Sequence, residues 1–260
     1  MKNLFFLTLF FMVGSVAIAQ SCAPECTPVT ICEDTCDCPP PTIEAGARLL
    51  PLGDSITKGS NGPETIEFIG YRFALQDNVG IGTYDFVGYY SDPPSDPVYD
   101  VLHSGYAGKT AYAIQSLTLG NMLNFFSGYN PNGSAVLIHA GTNDMPGSRT
   151  IQTVADDVLG IVDIIDAHDP TIDVYVALII PRGNTWEYVY NRVNNFNPAL
   201  ESTLQARQGT KANLYIVDMN AAFHGTSCGN NYLTCLSSDL VHPNTLGYQV
   251  MADTWPVPSS

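Results

Sequence analysis

From Arg48 onward, short apolar runs alternate with stretches long enough to form a helix, and this alternation narrows the choice of fold more than anything else in the chain. Arg48 to Asp54 reads as a buried strand running into a loop, and Thr65 to Asp77 as a helix. Ala135 to Asn143 reads as a strand ending in a glycine-containing turn. Ile151 to His168 follows, with apolar residues at helical spacing. Val174 to Ile180 is a further strand, Trp186 to Gln208 a helix that contains Pro198, Leu214 to Met219 a strand, and Asn244 to Trp255 a short closing helix. Strands joined by helix-length segments imply right-handed crossovers and a mostly parallel sheet covered on both faces. The expected fold is therefore α/β, a three-layer α/β/α sandwich. Such sheets bind ligands beyond the carboxyl ends of their strands. Gly53-Asp54-Ser55 and Gly141-Thr142-Asn143 each stand at such an end.

Four separated segments carry residue types suited to acyl transfer. Ser55, in Gly53-Asp54-Ser55-Ile56-Thr57, is a candidate nucleophile, although a serine there can equally cap a helix. His242, in Asp239-Leu240-Val241-His242, is the candidate base, because an unperturbed imidazole titrates near ~6.5 and both accepts and returns a proton. Asp239, three residues earlier, can reach back on a turn to the other ring nitrogen. His242 competes with the histidines at 103, 139, 168 and 224, of which the last three have no acidic partner at that spacing. Charge developing on a tetrahedral intermediate needs prepositioned donors, and three are expected to converge: the backbone N–H groups of Ser55 and Gly108 and the side-chain amide of Asn143. Gly53 lies two residues before Ser55 but Thr57 occupies the position two after it, so the Gly-x-Ser-x-Gly elbow of common lipases is absent. Among the aromatic residues, Tyr106 and Trp186 fall near expected loop ends and are candidates for substrate contact.

The chain opens with Lys2, an apolar run from Leu4 to Ile18 and the small residues Ala17-Ile18-Ala19, the layout of a secretory signal peptide (1–19) with the mature chain starting at Gln20. The run falls short of the roughly 20 apolar residues that span a bilayer, so an exported protein without stable membrane association is expected. Residues 20–46, rich in Cys and Pro, read as a linker or small appendage, and 47–260 as one catalytic domain. Cys228 and Cys235 are the firmest disulfide pair, placed to restrain the segment before Asp239 and His242, whereas Cys22, Cys26, Cys32, Cys36 and Cys38 leave an odd thiol. That N-terminal segment has no histidine and no paired Cys-x-x-Cys repeat, so no metal is expected. A net charge of −15 disfavours nucleic acid and anionic lipid and is compatible with neutral polymers. Asn132-Gly133-Ser134 matches a glycosylation acceptor by pattern alone.

These motifs, in this order, resemble the SGNH (GDSL) hydrolase superfamily over essentially Arg48 to Trp255. Leu52-Gly53-Asp54-Ser55-Ile56-Thr57, Gly70-Tyr71-Arg72, Asp85-Phe86-Val87-Gly88, Gly141-Thr142-Asn143-Asp144-Met145 and His242-Pro243-Asn244 with Gly247-Tyr248 look most like carbohydrate esterase family 3, the acetyl xylan esterases. The resemblance implies a mostly parallel five-stranded flavodoxin-like sheet, a Ser55–His242–Asp239 triad, an oxyanion hole from Ser55, Gly108 and Asn143, no obligatory cofactor, and removal of acetyl groups from a carbohydrate such as xylan. His103-Ser104-Gly105-Tyr106-Ala107-Gly108 departs from the Glu-Gly-His-Ser-Gly wording of that esterase family, which bears on substrate preference. Two alternatives stand beside this reading: a lipid esterase or thioesterase of the same superfamily, and a catalytically silent carbohydrate-binding protein.

Overall fold

The computed structural model describes residues 40–64, 69–92, 98–126, 130, 133–183 and 187–257. The expected signal peptide, the five N-terminal cysteines, Asn132 and Trp186 lie outside the described residues.

The sheet is built from β1 (Arg48–Gly53), β2 (Asp85–Phe86), β3 (Tyr90–Ser91), β4 (Leu102–Gly105), β5 (Ser134–His139), β6 (Asp173–Ala177) and β7 (Leu214–Val217). Its order among the described residues is β3-β4-β1-β5-β6-β7, with β2 also paired to β1. Five parallel strands, β4-β1-β5-β6-β7, match the expected sheet, but the described residues form seven strands rather than five. The two additions are two-residue strands, β2 parallel to β1 and β3 antiparallel to β4, too short to show any periodicity in sequence.

Alternation along each strand divides the core in two. Leu50 and Leu52 of β1, Val136 and Ile138 of β5 and Val174 and Val176 of β6 face one side. Helices α3 (Ala111–Phe125), α4 (Ile151–His168) and α5 (Glu187–Gln208) supply the residues packed against them. Leu49, Ala135, Leu137, Tyr175 and Ala177 face the other side, under α2 (Gly70–Val79), α6 (Met219–His224) and α7 (Thr245–Thr254). Strands apolar on both faces are what a parallel sheet between two helical layers requires.

Pro51 lies inside the central strand β1, where a missing N–H usually breaks a ladder. Here β2 pairs with Arg48 and Leu49, and β4 with Leu52 and Gly53. The carbonyls of Leu49 and Gly53 face that edge, accepting from Val87 and Tyr106. By alternation Pro51 faces the same edge, in the gap between the two partner strands, so its missing hydrogen interrupts neither pairing.

Residues 41–46, read from sequence as the end of a linker, are anchored to the domain. Ile43 is buried, its N–H donates to Pro256 O at 2.9 Å, and the Tyr175 hydroxyl donates to Pro41 O at 3.0 Å. At the other side, β6 stops at Ala177 although the apolar run continues to Ile180. The Asn197 side chain takes both main-chain groups of Ile179, at 2.9 Å each, and His139 Nε2 accepts from the Ile180 N–H. Side chains thus replace the next strand partner and turn the chain out of the sheet.

Candidate active site

The chain crosses from one side of β1 to the other between β4 and β5, which opens a crevice at the carboxyl end of β1. Gly53 ends that strand opposite Gly105 of β4 and His139 of β5. A Cβ on Gly53 would collide with the His139 carbonyl and the Thr57 hydroxyl, so only glycine lets the chain turn this tightly into the short helix α1 (Ser55–Lys58).

Asp54 caps α1, its Oδ1 accepting from the Ile56 N–H at 2.9 Å, and this fixes Ser55 on the first turn. Asp54 is fully buried. Burial pushes its carboxyl up to about 6, against the opposing pull of the Ile56 N–H, His242 and Thr142.

Ser55 Oγ lies 2.8 Å from His242 Nε2, and His242 Nδ1 lies 2.7 Å from Asp239 Oδ2. Asp239 Oδ1 accepts from the Ser237 hydroxyl at 2.8 Å and the N–H groups of Val241 and His242 at 2.9 and 3.0 Å. Partial burial raises the Asp239 carboxyl, but hydrogen bonds from the His242 main chain and ring, Val241 and Ser237 together outweigh it and hold the group at about 2. An ionised Asp239 can only accept, so Nδ1 carries the imidazole proton and Nε2 is left to accept from Ser55.

The loop bearing this pair is tightly held. Leu240 sits at φ 59°, a left-handed conformation rare for leucine, and is fixed by its N–H to Ser237 O and by its carbonyl, which accepts from Gly183 at 2.8 Å. Ser237 N–H donates to His242 O, closing the loop, and Asn244 caps α7 while its amide holds the carbonyls of Thr234 and Leu236. Cys228 and Cys235 form a disulfide at a Cα–Cα distance of 5.6 Å immediately before this segment.

Gly108, at φ +73°, sits on an exposed turn after β4, and Asn143 on the 3-10 turn Thr142–Asp144 after β5. The Asn143 amide donates to Lys109 O at 3.1 Å, and Asp144 Oδ2 accepts from the Ala111 N–H at 2.8 Å. Both turns are thereby tied together at the sheet end where Ser55 emerges. Tyr106, expected at the substrate, is instead 4% exposed. It packs edge-on against Tyr90 at 5.6 Å within the α3–α5 side of the core, so it offers no free stacking face.

Burial separates two of the competing histidines, His103 and His139, from His242. His103 is pulled down to about 2, by burial first and then by Arg72 and Lys58, and buried His139 is pulled down to about 4. Neither exchanges a proton near neutrality. Two neighbours of the triad carry no signal in the sequence. Gly62, at φ +66°, lies so close to Asp239 that a Cβ would collide with its carboxylate. Arg182, partly buried after β6, donates to Thr142 O at 3.2 Å and lies within electrostatic reach of Asp239 and Asp54. Both proximities are tertiary, and only the position of Arg182 just beyond a strand's carboxyl end could have hinted at one.

Sheet order, helical layers and the residues gathered beyond β1 are those of an SGNH-type hydrolase of ester bonds. The chain belongs to the GDSL-like lipase/acylhydrolase family, whose model matches residues 52–250. Among solved structures it is similar to a carbohydrate esterase of family 3 from Talaromyces cellulolyticus, with 25% identity, a TM-score of 0.63 and coverage of 80% of this chain and 93% of that one. A family 3 carbohydrate esterase of Clostridium thermocellum gives 25% identity and a TM-score of 0.61, covering 81% and 93%. An acetyl esterase crystallised with acetate shares the fold at 24% identity and a TM-score of 0.63, covering 80% and 93%. No curated protein sequence matches the chain.

Proposed function

We propose that this chain is an exported serine esterase that removes O-acetyl groups from a carbohydrate, acetylated xylan being the first substrate to test. The observation that carries the reading is the unbroken hydrogen-bonded line from Asp239 through His242 to Ser55, with distances of 2.7 and 2.8 Å. The likeness to two family 3 carbohydrate esterases supports the acetyl-sugar assignment, and the leader-like first 19 residues support export.

In this mechanism Ser55 Oγ attacks the acetyl carbonyl carbon while its proton passes to His242 Nε2. Asp239 holds the ring in the required tautomer and stabilises the imidazolium. The oxyanion forms against the N–H groups of Ser55 and Gly108 and the Asn143 amide, donors of a kind each commonly worth ~10²–10³ in rate. Collapse of the tetrahedral intermediate breaks the bond to the sugar oxygen, which takes the proton from His242. Water, deprotonated in turn by His242, attacks the acetyl-Ser55 ester; acetate leaves and Ser55 recovers its proton. These side chains supply every proton transfer.

The test is acetate release from acetylated xylan, with acetylated chitin fragments and glycerol esters alongside. Ser55→Ala should abolish turnover with the fold intact. Undiminished activity would remove Ser55 from this role, and a preference for long-chain aryl esters over acetyl esters would replace the carbohydrate reading by a lipid esterase.

A further inference from the structure

Two exposed tyrosines bracket the loop that carries Asn143. Tyr112, on the first turn of α3, is 58% exposed, and Tyr188, on the first turn of α5, is 56% exposed. Isolated exposed apolar residues are ordinary, and Leu119 further along α3 is one. These two rings differ because each is fixed. The Arg149 guanidinium lies over Tyr112 at 5.5 Å, and that of Arg192 over Tyr188 at 5.5 Å. The Tyr188 hydroxyl donates to Gly147 O at 3.1 Å, and Arg192 donates to Arg149 O at 2.7 Å. Arg149 is itself ion-paired with Asp157.

Both rings are also tied to the same loop. Gly147, the acceptor for Tyr188, is four residues from Asn143, and Asp144 of that loop holds the N–H of Ala111, next to Tyr112. The rings therefore keep a fixed relation to Asn143 at the carboxyl ends of β4, β5 and β6, the rim where Ser55 emerges.

We infer that Tyr112 and Tyr188 are sugar-stacking platforms on either side of the Asn143 loop, where they grip the backbone of a polymeric acetyl ester. A pyranose or furanose ring presents C–H faces that lie against an aromatic ring and hydroxyls that accept from guanidinium donors. A tyrosine with an arginine against it offers both chemistries. An acyl chain needs a continuous apolar surface, which guanidinium groups interrupt. Held rings lose little freedom on binding, so their exposure is pre-organised for a ligand. The inference rests on the carbohydrate esterase reading and deepens it, moving substrate contact from Tyr106 to two residues not singled out by sequence.

The experiment uses the full chain with Tyr112→Ala, Tyr188→Ala, the double variant, Tyr112→Phe and a Leu119→Ala control. KM and kcat are measured on acetylated xylan and on 4-nitrophenyl acetate. Binding of xylohexaose and chitohexaose is titrated in a Ser55→Ala background. Each alanine variant should raise KM on the polymer by about three- to tenfold, and in the double variant the polymer-to-aryl-acetate ratio of kcat/KM should fall by about tenfold or more. Tyr112→Phe, which keeps the ring, and Leu119→Ala should hold that ratio. Equal losses on both substrates, or binding of neither hexasaccharide, overturn the inference. Failure of the wild type to hydrolyse 4-nitrophenyl acetate overturns the esterase reading instead, so the two failures are distinguishable.

Discussion

Replacing Asp54 by asparagine should stabilise the protein at neutral pH, although the side chain is a buried helix cap beside the nucleophile. Its Oδ1 holds the Ile56 N–H, but Oδ2 is buried outside full hydrogen-bond geometry with any donor among the described residues, and the nearby Thr142 hydroxyl supports the carboxylate only weakly. Desolvation dominates, Asp144 adds to it, and the carboxyl rises from its ordinary 3.8 to about 6 despite Ile56, His242 and Thr142. At about 1.4 kcal/mol per pH unit, ionising it inside the fold costs about 3 kcal/mol. The folded protein keeps this proton up to about pH 6, whereas the unfolded chain releases it near 3.8. Stability from this group therefore falls as pH climbs through that window, and the whole cost is present above it. An asparagine oxygen can still accept from Ile56, and nothing needs to ionise. The variant should match the wild type below about pH 4 and exceed it by up to about 3 kcal/mol at neutral pH, or about 6–12 °C in Tm. Denaturant unfolding at four pH values across the window reads this, since the difference between variants cancels every titrating group not coupled to residue 54. A difference that is flat with pH, or a variant weakest at neutral pH, would mean the carboxylate is solvated or bonded in a way the geometry does not contain.

Gly62→Ala forces a side chain into a left-handed position and against the Asp239 carboxylate. It should lower kcat by about 100-fold or more with a stability loss of only about 1–2 kcal/mol, measured by steady-state kinetics and melting together. Asp239→Asn leaves the shape but removes the charge that fixes the His242 tautomer, and kcat should fall by about 10³–10⁴ with KM little changed. Opening the Cys228–Cys235 bridge, whose partners are seven residues apart, by the double serine variant should cost about 2–3 kcal/mol. Because the bridge precedes the loop of Asp239 and His242, kcat should drop more than KM rises. Wild-type stability in the double serine variant would mean that the bridge contributes nothing to holding the fold.

Ser55 and His242 are 187 residues apart, yet their meeting was legible because each position is a local consequence. An apolar run ending in Gly53 puts Ser55 beyond a strand's carboxyl end, and Asp239 three residues before His242 sets up a turn that closes on the ring. The parallel-sheet rule then brings strand ends to one rim without further information. Helix α4 was readable to its last residue for a similar reason, with one face apolar and Thr150 capping its start. Helix α3 gave no such signal. Its sequence, AYAIQSLTLGNMLNF, spreads apolar residues around the helix, so helical periodicity is lost. Strand β4, Leu-His-Ser-Gly, is held by its neighbours rather than by any apolar run of its own.

The misplacement of Tyr106 shows where local reasoning ends. One residue past β4, it has the sequence surroundings of a loop aromatic, and its N–H pairs with Gly53 O as a loop residue beside the nucleophile should. Which way its ring points depends on β3, whose Tyr90 arrives from 13 residues upstream to pair with His103 and packs edge-on against Tyr106. A two-residue edge strand leaves no pattern in sequence, and without it the inward and outward choices are equivalent. Tyr112 and Tyr188 reverse the case, since both begin helices whose other residues enter the core and local pattern alone would bury or ignore them. Their exposure is maintained by arginines, Arg149 from beyond α3 beside Tyr112, and Arg192 one turn along α5 from Tyr188 and anchored to Arg149. Catalytic geometry here follows from where the strands end, whereas substrate contact follows from which side chains their neighbours hold out into solvent.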